Sequence, residues 1–440
     1  MLQRHDDEDV ALVDRLQRAA FEYFLNFTNP ENGLVADTSI GGSHCSIAAV
    51  GFALSSYPVA VERGWVDRQF AVERVLTTLR FFAESRQGRE RHATGHRGFY
   101  YHFLHMDTGH RAWNSELSTI DSALLFAGML TAAAYFTESD EAETEIRTLA
   151  AMLYERADWR WALNKGKTVS MGWKPGSGFL RWRWQGYDEA IILYVLALAS
   201  PAHAIPEESY AAFTESYSWM LFRDQPYLYA GPLFIHLFSH AWIDFRQIQD
   251  GPMVQRNHDY FRNTQIAIEV QRDYAERNPA RFIGYSRDIW GLTASDGPPP
   301  VRRLRGGRRS NFLSYAARGA PLGPDDGTIA PWAPLACLPF DRAAALDGLK
   351  AILSTYPNLL YEDRFPGGFN PTVKSAKPEG WVDDRCVAID QGLLVMMIEN
   401  ARTDFIWSLM RQSPVIKQGL ERAGFTGGWL EEAVAERKRA

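Results

Sequence analysis

Hydrophobic positions along the chain follow two kinds of helical pattern. In the first kind, apolar residues recur at helical spacing between charged ones, as in the segments 72–83 and 146–153. In the second kind nearly every residue is apolar, as in the segments 122–136 and 190–200. A helix of the first kind covers one side of a core, whereas a helix that is apolar on every side lies inside the fold. The pattern therefore predicts a set of outer helices and a set of inner helices.

The two kinds of helix largely alternate along the chain. The inner candidates begin near Ser43, Ser118, Tyr187, Asp259, Gly327 and Ile389. The outer candidates lie near residues 8–27, 68–85, 141–156, 207–222, 341–354 and 402–412. Strand signals are few, with a short hairpin near Val169–Met171. Inner and outer helices in pairs predict an all-α fold with one catalytic domain over residues 1–440. An (α/α)6 barrel, a toroid of six helical hairpins, fits better than an irregular all-α domain.

The barrel also predicts where a site lies. Helices joined by short loops run antiparallel to their neighbours, so all inner helices of such a ring run parallel. Their N-termini then share one face, where free backbone N–H groups and positive dipole ends accumulate. The segments before the inner helices are rich in glycine, aromatic and polar residues, although some of their serines and aspartates are plain N-caps. These segments are 41–44, 113–116, 184–189, 257–259, 325–327 and 381–384.

The segment 295–327 interrupts the helical pattern. It contains Gly297–Pro300 and a run of arginines between Arg302 and Arg309. A loop this long in a compact domain is typically a functional lid or a disordered connection. The arginines could bind an anion, but a mobile lid over an acidic cleft fits the rest of the chain better.

Composition and charge exclude several classes of function. Lysine and arginine number 47 against 53 aspartate and glutamate residues, a formal charge of −6, so the chain lacks the basic footprint of a nucleic-acid or anionic-membrane binder. No run of about 18 uncharged apolar residues occurs, which argues against a membrane span. Cys45, Cys337 and Cys386 lack the spacing of a disulfide framework, so we expect buried free thiols. Residues 1–10 show no signal peptide, so we expect a cytoplasmic protein, or a periplasmic or secreted one if a leader was removed.

Carboxylates next to aromatic residues are the main chemical signal. Hydrolysis of a glycosidic bond needs one carboxylic acid that protonates the leaving oxygen and one carboxylate that acts as nucleophile or activates water. Glu189 follows Trp184 and opens an apolar run, and such a pocket can keep an acid protonated. Glu116 and Asp121 flank the start of a long uncharged run. A helix-dipole role for Glu189 and a capping role for Ser118 with Asp121 are the alternatives.

Motifs for metals, nucleotides and nucleophilic serines are missing. His236, His240 and Asp244 fall on one helical face, but the glutamate of an HExxH motif is absent, so core or cleft histidines are the better interpretation. The chain contains neither a GxGxxG nor a GxxxxGK[ST] nucleotide loop, and no GxSxG elbow. We therefore expect no metal and no cofactor.

Nine segments in chain order resemble one known family. They are Asn32–Thr38, Ser46–Leu54, Gly98–Leu104, Ser115–Asp121, Ser170–Pro175, Gly186–Ala190, Trp242–Arg246, Trp290–Gly297 and Asp325–Pro331. Over about residues 15–410 the chain resembles the bacterial glucoamylase-like domain family, whose characterised branch is the endo-β-1,2-glucanases of glycoside hydrolase family 144. Members of that family are commonly exported, whereas this chain shows no leader.

The resemblance implies an (α/α)6 barrel and a glycosidase that cleaves β-1,2-glucan, endo-acting and inverting. It implies Glu189 as the proton donor and Asp121 or Glu116 on the water-activating side. Further acidic candidates are Asp107, Asp326 and Asp390. The tryptophans expected as sugar platforms are Trp113, Trp173, Trp184, Trp242, Trp290 and Trp381. The other residues expected to bind substrate are Lys174, Tyr187, His240 and Arg246.

Three other functions remain open at this point. An exo-acting enzyme that releases the disaccharide sophorose, or a transglycosylase that remodels glucan, would use the same residues. A non-catalytic glucan-binding module belongs to another class, and the presence of Glu116, Asp121 and Glu189 together argues against it. The expected partner is the β-glucan itself, with no nucleic acid, no membrane and no obligatory protein partner.

Overall fold

The computed structural model describes residues 2–300, 303–305, 308–310 and 312–431. This part of the chain folds mainly into helices, joined by short strands of two to four residues. A predominantly helical fold is therefore confirmed. No helix among these residues is both long and apolar enough to cross a membrane.

A helix lies within each predicted outer range, although the one in 207–222 ends at Thr214 and residues Trp219–Phe222 form a strand. The α-helices are α1 (Leu2–Asn26), α2 (Ile47–Glu62), α3 (Arg68–Glu84), α4 (Thr119–Tyr135), α5 (Glu141–Glu155), α6 (Trp159–Ala162), α7 (Ile191–Ala199), α8 (Glu208–Thr214), α9 (Gly251–Val254), α10 (Tyr260–Arg277), α11 (Ala333–Ala336), α12 (Arg342–Thr355), α13 (Ala388–Thr403), α14 (Phe405–Gln412) and α15 (Pro414–Arg422). Two 3-10 helices cover Leu233–His236 and Ser239–Ala241. The predicted outer helices correspond to α1, α3, α5, α8, α12 and α14.

Five helices form the interior. Along α2, α4, α7 and α13 nearly every residue is buried. α2 packs against α4 and α13, α4 also packs against α7, and α11 packs against α13. Two glycines allow the close approach of α2 and α4. A Cβ atom on Gly51 would lie 2.3 Å from the Leu124 carbonyl oxygen, and one on Gly128 would lie 2.1 Å from the Gly51 carbonyl oxygen, so a side chain at either position would push the helices apart.

The prediction of an inner helix that begins near Asp259 is wrong. Asp259 caps α10, which packs against the first 3-10 helix. The two 3-10 helices take the inner place instead. Trp242 follows them directly, lies 5.0 Å from Phe52 of α2 between ring centroids, and donates its Nε1–H to Ser55 Oγ at 2.9 Å. Short 3-10 turns show no helical period in a sequence, whereas the long α10 does.

Short antiparallel strands connect the helices. They are β1 (Cys45–Ser46), β2 (Gly95–His96), β3 (Phe99–Tyr101), β4 (Phe103–Leu104), β5 (Leu117–Ser118), β6 (Gly172–Lys174), β7 (Gly178–Phe179), β8 (Trp219–Phe222), β9 (Gln225–Leu228), β10 (Ala294–Ser295), β11 (Arg303–Arg305), β12 (Arg308–Ser310), β13 (Ala316–Ala317), β14 (Phe369–Asn370) and β15 (Trp381–Val382). Five strands form one sheet in the order β2-β3-β5-β6-β7, and the others pair in twos. β1 leads directly into α2, and β5 leads directly into α4. The hairpin expected near Val169–Met171 lies a few residues later, as β6 and β7.

The described residues of the segment 295–327 form no helix, as predicted, and contain only short strands. Contacts near both ends hold the segment in place. β10 pairs with β13, with Ser295 opposite Ala316. A fully buried ion pair joins Arg318 Nε to Asp326 Oδ1 at 2.7 Å. The side chains of the arginine run lie outside the described residues. All three cysteines are buried and free, which confirms the prediction made for them.

Candidate active site

A cavity of about 670 Å³ lies at the N-terminal ends of the inner elements. Each of these elements contributes a residue from its beginning to the cavity wall. They are Ser46 before α2, Asp121 in α4, Glu189 before α7, Phe234 in the first 3-10 helix, Trp332 before α11 and Asp390 in α13. The N-termini of the inner elements therefore meet around one space, which is where the sequence predicted a site.

The cavity wall combines carboxylates with apolar rings. Its carboxylates are Asp37, Glu116, Asp121, Glu189, Asp296 and Asp390, and its basic side chains are His102 and Arg385. Its aromatic residues are Phe103, Trp184, Phe234, Phe238, Tyr315 and Trp332. Burial favours the neutral acid whereas a nearby cation favours the carboxylate, so such a wall can separate the pKa values of its acidic groups.

Glu189 has the properties of a proton donor. Burial raises its pKa to about 7, and the charge of Asp121 acts in the same direction. Its backbone carbonyl accepts a hydrogen bond from Ser239 Oγ at 2.9 Å, which ties the residue to the second 3-10 helix. Glu189 can therefore hold a proton near neutral pH and give it to a bound molecule.

His102 joins two carboxylates of the wall. Its Nδ1 lies 2.9 Å from Glu116 Oε1, and its Nε2 lies 3.5 Å from Asp121 Oδ2. Burial opposes a charge on this ring, but the charges of Asp121 and Glu116 outweigh it and raise the pKa of His102 to about 9. In return, the hydrogen bond with His102 lowers the pKa of Glu116 to about 2. His102 is therefore a cation at neutral pH, and Glu116 is ionised.

The local fold fixes these three groups. The His102 backbone N–H donates to the Glu116 carbonyl oxygen at 2.9 Å, beside the pairing of β3 with β5. Ser118 caps α4, because its Oγ accepts from the Asp121 backbone N–H at 3.2 Å, and its hydroxyl donates to Asp121 Oδ2. The capping role considered for Ser118 and Asp121 is thus present. The same cap holds the Asp121 carboxylate at the cavity wall.

A second group of carboxylates surrounds Arg385. Arg385 Nη2 lies 3.1 Å from Asp296 Oδ2, and Nε lies 2.9 Å from Asp383 Oδ1. Burial raises the pKa of Asp37 to about 6. Burial also raises the pKa of Asp390 well above its usual range, and the charges of Asp296 and Asp37 add to the effect. Burial therefore favours the protonated form of Asp390, whose carboxyl group can donate a hydrogen bond as well as accept one.

Five of the residues predicted from the sequence line the cavity. They are Glu116, Asp121, Trp184, Glu189 and Asp390. The indole of Trp184 is held at its edge, where Nε1–H donates to Thr119 Oγ1 at 2.9 Å. The Trp184 carbonyl oxygen accepts from the Tyr194 hydroxyl at 2.8 Å. The platform role of Trp184 stays a prediction that its position allows.

Three of the predicted sugar platforms are buried away from the cavity. Trp242 and Trp290 are fully buried and fill the core. Trp173 is nearly buried and stacks on His96, with 4.8 Å between ring centroids. Large rings serve both cores and sugar sites, and a sequence does not distinguish the two uses.

Two predicted polar ligands are occupied by ion pairs. Asp326 belongs to the buried pair with Arg318 and also accepts from the Leu313 backbone N–H at 2.9 Å. Arg246 Nε lies 2.8 Å from Asp244 Oδ1, and Arg246 also pairs with Asp404. Neither side chain lines the cavity, and their roles as substrate ligands stay predictions.

Tyr187 and His240 also do not line the cavity, and their roles as substrate ligands stay predictions. The Tyr187 hydroxyl lies 3.3 Å from His236 Nδ1, and His240 Nε2 lies 3.2 Å from Thr264 Oγ1. Burial lowers the pKa of His236 to about 4 and that of His240 to about 3. Both are neutral core histidines, the interpretation that the sequence favoured over a metal site with Asp244.

The remaining predicted ligands lie outside the cavity wall. They are Asp107, Trp113, Lys174 and Trp381. Lys174 of β6 is near enough to Glu116 for its charge to lower the pKa of that carboxyl slightly further. Trp113 is exposed at the surface and contacts Phe103 of the wall, with 5.1 Å between ring centroids.

The sequence prediction missed five ionisable wall residues. They are Asp37, His102, Asp296, Tyr315 and Arg385. All lie in loops beside short strands or bridges, which helical periodicity does not report. A signal was present for Asp37, His102 and Asp296, because each lies within a segment that carries the family resemblance.

One acidic cluster outside the cavity has ligand-like spacing. Oxygen atoms of Glu138, Asp140 and Glu143 lie within 4.8 Å of one another. Arg68 Nε lies 2.6 Å from Glu143 Oε1 and 3.1 Å from Glu138 Oε1. The arginine therefore supplies the positive charge that this cluster needs.

The chain is similar to a described family and to a curated protein. The model of the family described as "Putative glucoamylase" matches residues 181–414, more than half of the chain. The exo β-1,2-glucooligosaccharide sophorohydrolase (non-reducing end) of Parabacteroides distasonis is 26% identical over 451 aligned residues. The match covers 94% of this chain and 58% of that relative, so the chain spans little more than half of the relative's length.

Two solved structures share the fold over nearly the whole chain. One, from Bacteroides uniformis, is described in the same words as the family; it has a TM-score of 0.83 and 29% identity, and the match covers 96% of this chain and 98% of that one. The other is an endo-β-1,2-glucanase from Chitinophaga pinensis in complex with sophorotriose and glucose. It has a TM-score of 0.83 and 23% identity, and the match covers 96% of this chain and 99% of that one.

Proposed function

The chain belongs to the glucoamylase-like family, and on that premise we propose that it is a glycoside hydrolase of β-1,2-linked glucan. The observation that carries the proposal is the position of Glu189, an acid whose pKa is about 7, in one cavity with five other carboxylates. Glycoside hydrolysis requires such a pair of unlike carboxyl groups. The linkage rests on the Parabacteroides relative, which acts on β-1,2-glucooligosaccharides.

In the proposed reaction, Glu189 gives its proton to the glycosidic oxygen while the bond from that oxygen to C1 breaks. Asp121 takes a proton from a water molecule, whose oxygen bonds to C1. Asp121 is a better candidate than Glu116, because a carboxylate whose pKa is about 2 is a weak base. Inversion would follow if the two reacting carboxyl groups stand about 6.5–9.5 Å apart, which leaves room for the water.

The rest of the wall suits a sugar. Trp184, Phe234 and Phe238 offer apolar faces, against which the C–H face of a glucose ring can pack. Asp296 and Arg385, which are paired with each other, offer acceptors and donors to hydroxyl groups. Substrate bound here would also displace water from around Glu189, which further favours the protonated acid.

Substitution of Asp121 tests directly whether this residue is the base. Asp121→Asn should lower kcat by a factor of about 100 or more, and Asp37→Asn by much less, because general-base catalysis contributes roughly 10²–10⁴-fold. Azide restores activity to an inverting enzyme that lacks its base by attacking C1 itself. Rescue of Asp37→Asn but not of Asp121→Asn would move the base role to Asp37.

We propose further that the helices close into an (α/α)6 barrel. The packing order α7, α4, α2, α13 and α11 supports this, with the two 3-10 helices in the sixth inner place. The outer partners would be α1, α3, α5, α8, α10 and α12, each before its inner element in the chain. Such a ring makes one mouth at the N-terminal ends of the inner elements, where the carboxylates lie.

Endo action is the main proposal, and release of sophorose from a chain end is the second candidate. The observation that favours the second is the similarity to an exo-acting sophorohydrolase across nearly this whole chain. Product lengths distinguish the two. An endo enzyme yields a ladder of oligosaccharides early in the reaction, whereas a sophorose-releasing enzyme yields the disaccharide from the start.

The proposal is tested with a panel of purified glucans. The panel contains linear and cyclic β-1,2-glucan, β-1,3-glucan, cello-oligosaccharides and starch, and new reducing ends are counted. Release from the β-1,2-glucans alone is the expected result, and release from the cyclic glucan, which has no chain end, accompanies endo action. Release from starch but not from β-1,2-glucan would overturn the proposed linkage, and binding of β-1,2-glucan without any release would indicate a binding module.

A further inference from the structure

A row of aromatic rings leads from the cavity wall to the outer surface. His102 and Phe103 belong to the wall, and their ring centroids lie 4.0 Å apart. Phe103 lies 5.1 Å from Trp113, Trp113 lies 4.4 Å from His44, and His44 lies 4.8 Å from His105, all between ring centroids. We refer to these five residues as the aromatic track. It is continuous, and one end of it is part of the site.

Trp113 is presented to solvent by a fixed turn. Its side chain is 66% exposed, although a tryptophan gains more from burial than most residues. Its backbone φ is +50°, a left-handed conformation that bulky residues rarely adopt and that tends to occur at ligand sites. The Ala112 backbone N–H donates to the Phe103 carbonyl oxygen at 2.8 Å, and the Ser115 hydroxyl donates to the same oxygen at 3.3 Å. The turn therefore holds the indole beside the cavity wall.

The exposed part of the track suits a neutral sugar. Partial burial lowers the pKa of His44, and the neighbouring His105 adds to the effect, so the ring beneath Trp113 is uncharged at neutral pH. Flat neutral rings pack against the C–H faces of glucose, and the indole N–H can bond a hydroxyl group. The track differs in this from the carboxylate-lined cavity, where the chemistry takes place.

We propose that the aromatic track is an outer subsite, on which Trp113 stacks a glucose unit of the β-1,2-glucan chain that continues out of the cavity. The inference rests on the proposed function and names the part of the substrate that lies beyond the cleaved bond. The observation behind it is that the track is continuous with the cavity, because Phe103 lines the cavity and contacts Trp113. Trp113 then serves affinity for long chains and takes no part in the chemistry.

The experiment compares substrate lengths. Wild type, Trp113→Ala, Trp113→Phe and Trp182→Ala are assayed on single β-1,2-gluco-oligosaccharides, from the shortest that wild type cleaves to the decasaccharide. Trp182 is the matched control, because it is 63% exposed, the Arg181 guanidinium lies over its ring, and it is not one of the five track residues. For Trp113→Ala we expect kcat/KM to fall about three- to tenfold on long chains, through KM, with a much smaller effect on the shortest.

Three outcomes decide the matter. Trp113→Phe should keep most of the wild-type kcat/KM on long chains, and Trp182→Ala should match wild type at every length. Equal losses at every length, or equal losses in Trp113→Ala and Trp182→Ala, would overturn the outer subsite while leaving the proposed function intact. If wild type cleaves no oligosaccharide, the proposed function fails; calorimetric titration of the decasaccharide into wild type and Trp113→Ala then decides the subsite by itself, and equal affinities would refute it.

Discussion

Replacing His102 by glutamine removes the cation between Glu116 and Asp121. The pKa of Glu116 falls from 4.5 to about 2 beside His102. Each pKa unit corresponds to about 1.4 kcal/mol, so the fall from 4.5 to about 2 limits the contribution of the interaction to the free energy of unfolding to at most about 3.5 kcal/mol. The side chains of His102 and Glu116 are 29% and 27% exposed, and solvent screening reduces this to about 2 kcal/mol.

The pH dependence of this contribution has a definite sign. The pKa of His102 is raised from 6.5 to about 9, so the stabilisation is complete below about pH 6.5 and is lost as the pH rises through about 9. The pKa of Glu116 is lowered, so the stabilisation is complete above about pH 4.5 and is lost as the pH falls through about 2. The free energy of unfolding of wild type should therefore exceed that of His102→Gln by the largest amount between about pH 4.5 and 6.5.

Urea unfolding of both proteins at about pH 5.5, 7.5 and 10 measures the difference directly. We expect the free energies of unfolding of the two proteins to differ by about 2 kcal/mol at about pH 5.5 and by much less at about pH 10. His105→Gln is the matched control, because His105 is an exposed histidine of the same region with His44 as its ring contact. A difference between wild type and His102→Gln that stays constant across the range would refute the charge interaction.

Three further predictions concern the acid, a buried ion pair and a core tryptophan. Because burial raises the pKa of Glu189 to about 7, kcat/KM on β-1,2-glucan should fall above about pH 7, and a profile flat to about pH 9 would contradict its role as acid. Arg318→Met leaves Asp326 buried without its partner, so urea unfolding should show a loss of about 3–5 kcal/mol; a loss below about 1 kcal/mol would mean that the pair is not buried. Trp242→Ala should cost about 3–5 kcal/mol of stability without raising KM, and a raised KM in the folded variant would restore the platform role.

The inner helices and two of the site carboxylates were predictable for the same reason. An uncharged run long enough to be buried on all sides marks an inner helix, and the last charged residue before it marks the end that faces the cavity. Asp121 and Glu189 both occupy such positions, at the starts of α4 and α7. Burial of the helix start also explains why the pKa of Glu189 is raised.

The rest of the site depends on contacts that leave no local pattern. His102 meets Glu116 because β3 pairs with β5, and Arg385 meets Asp296 across a long stretch of chain. The 3-10 helices that supply Phe234 are too short to show a period. Tryptophan composition was misleading for a different reason, since a ring that fills the core and a ring that stacks on sugar have the same sequence signature.

The central claim is that Glu189 is the acid of a β-1,2-glucan hydrolase. The most direct measurement is the rate of reducing-end release from linear β-1,2-glucan by wild type and by Glu189→Gln, together with the affinity of each protein for the glucan. Glutamine keeps the size of the side chain but has no transferable proton, so we predict a fall in kcat by a factor of about 100 or more with affinity retained. Equal rates in the two proteins would contradict the account.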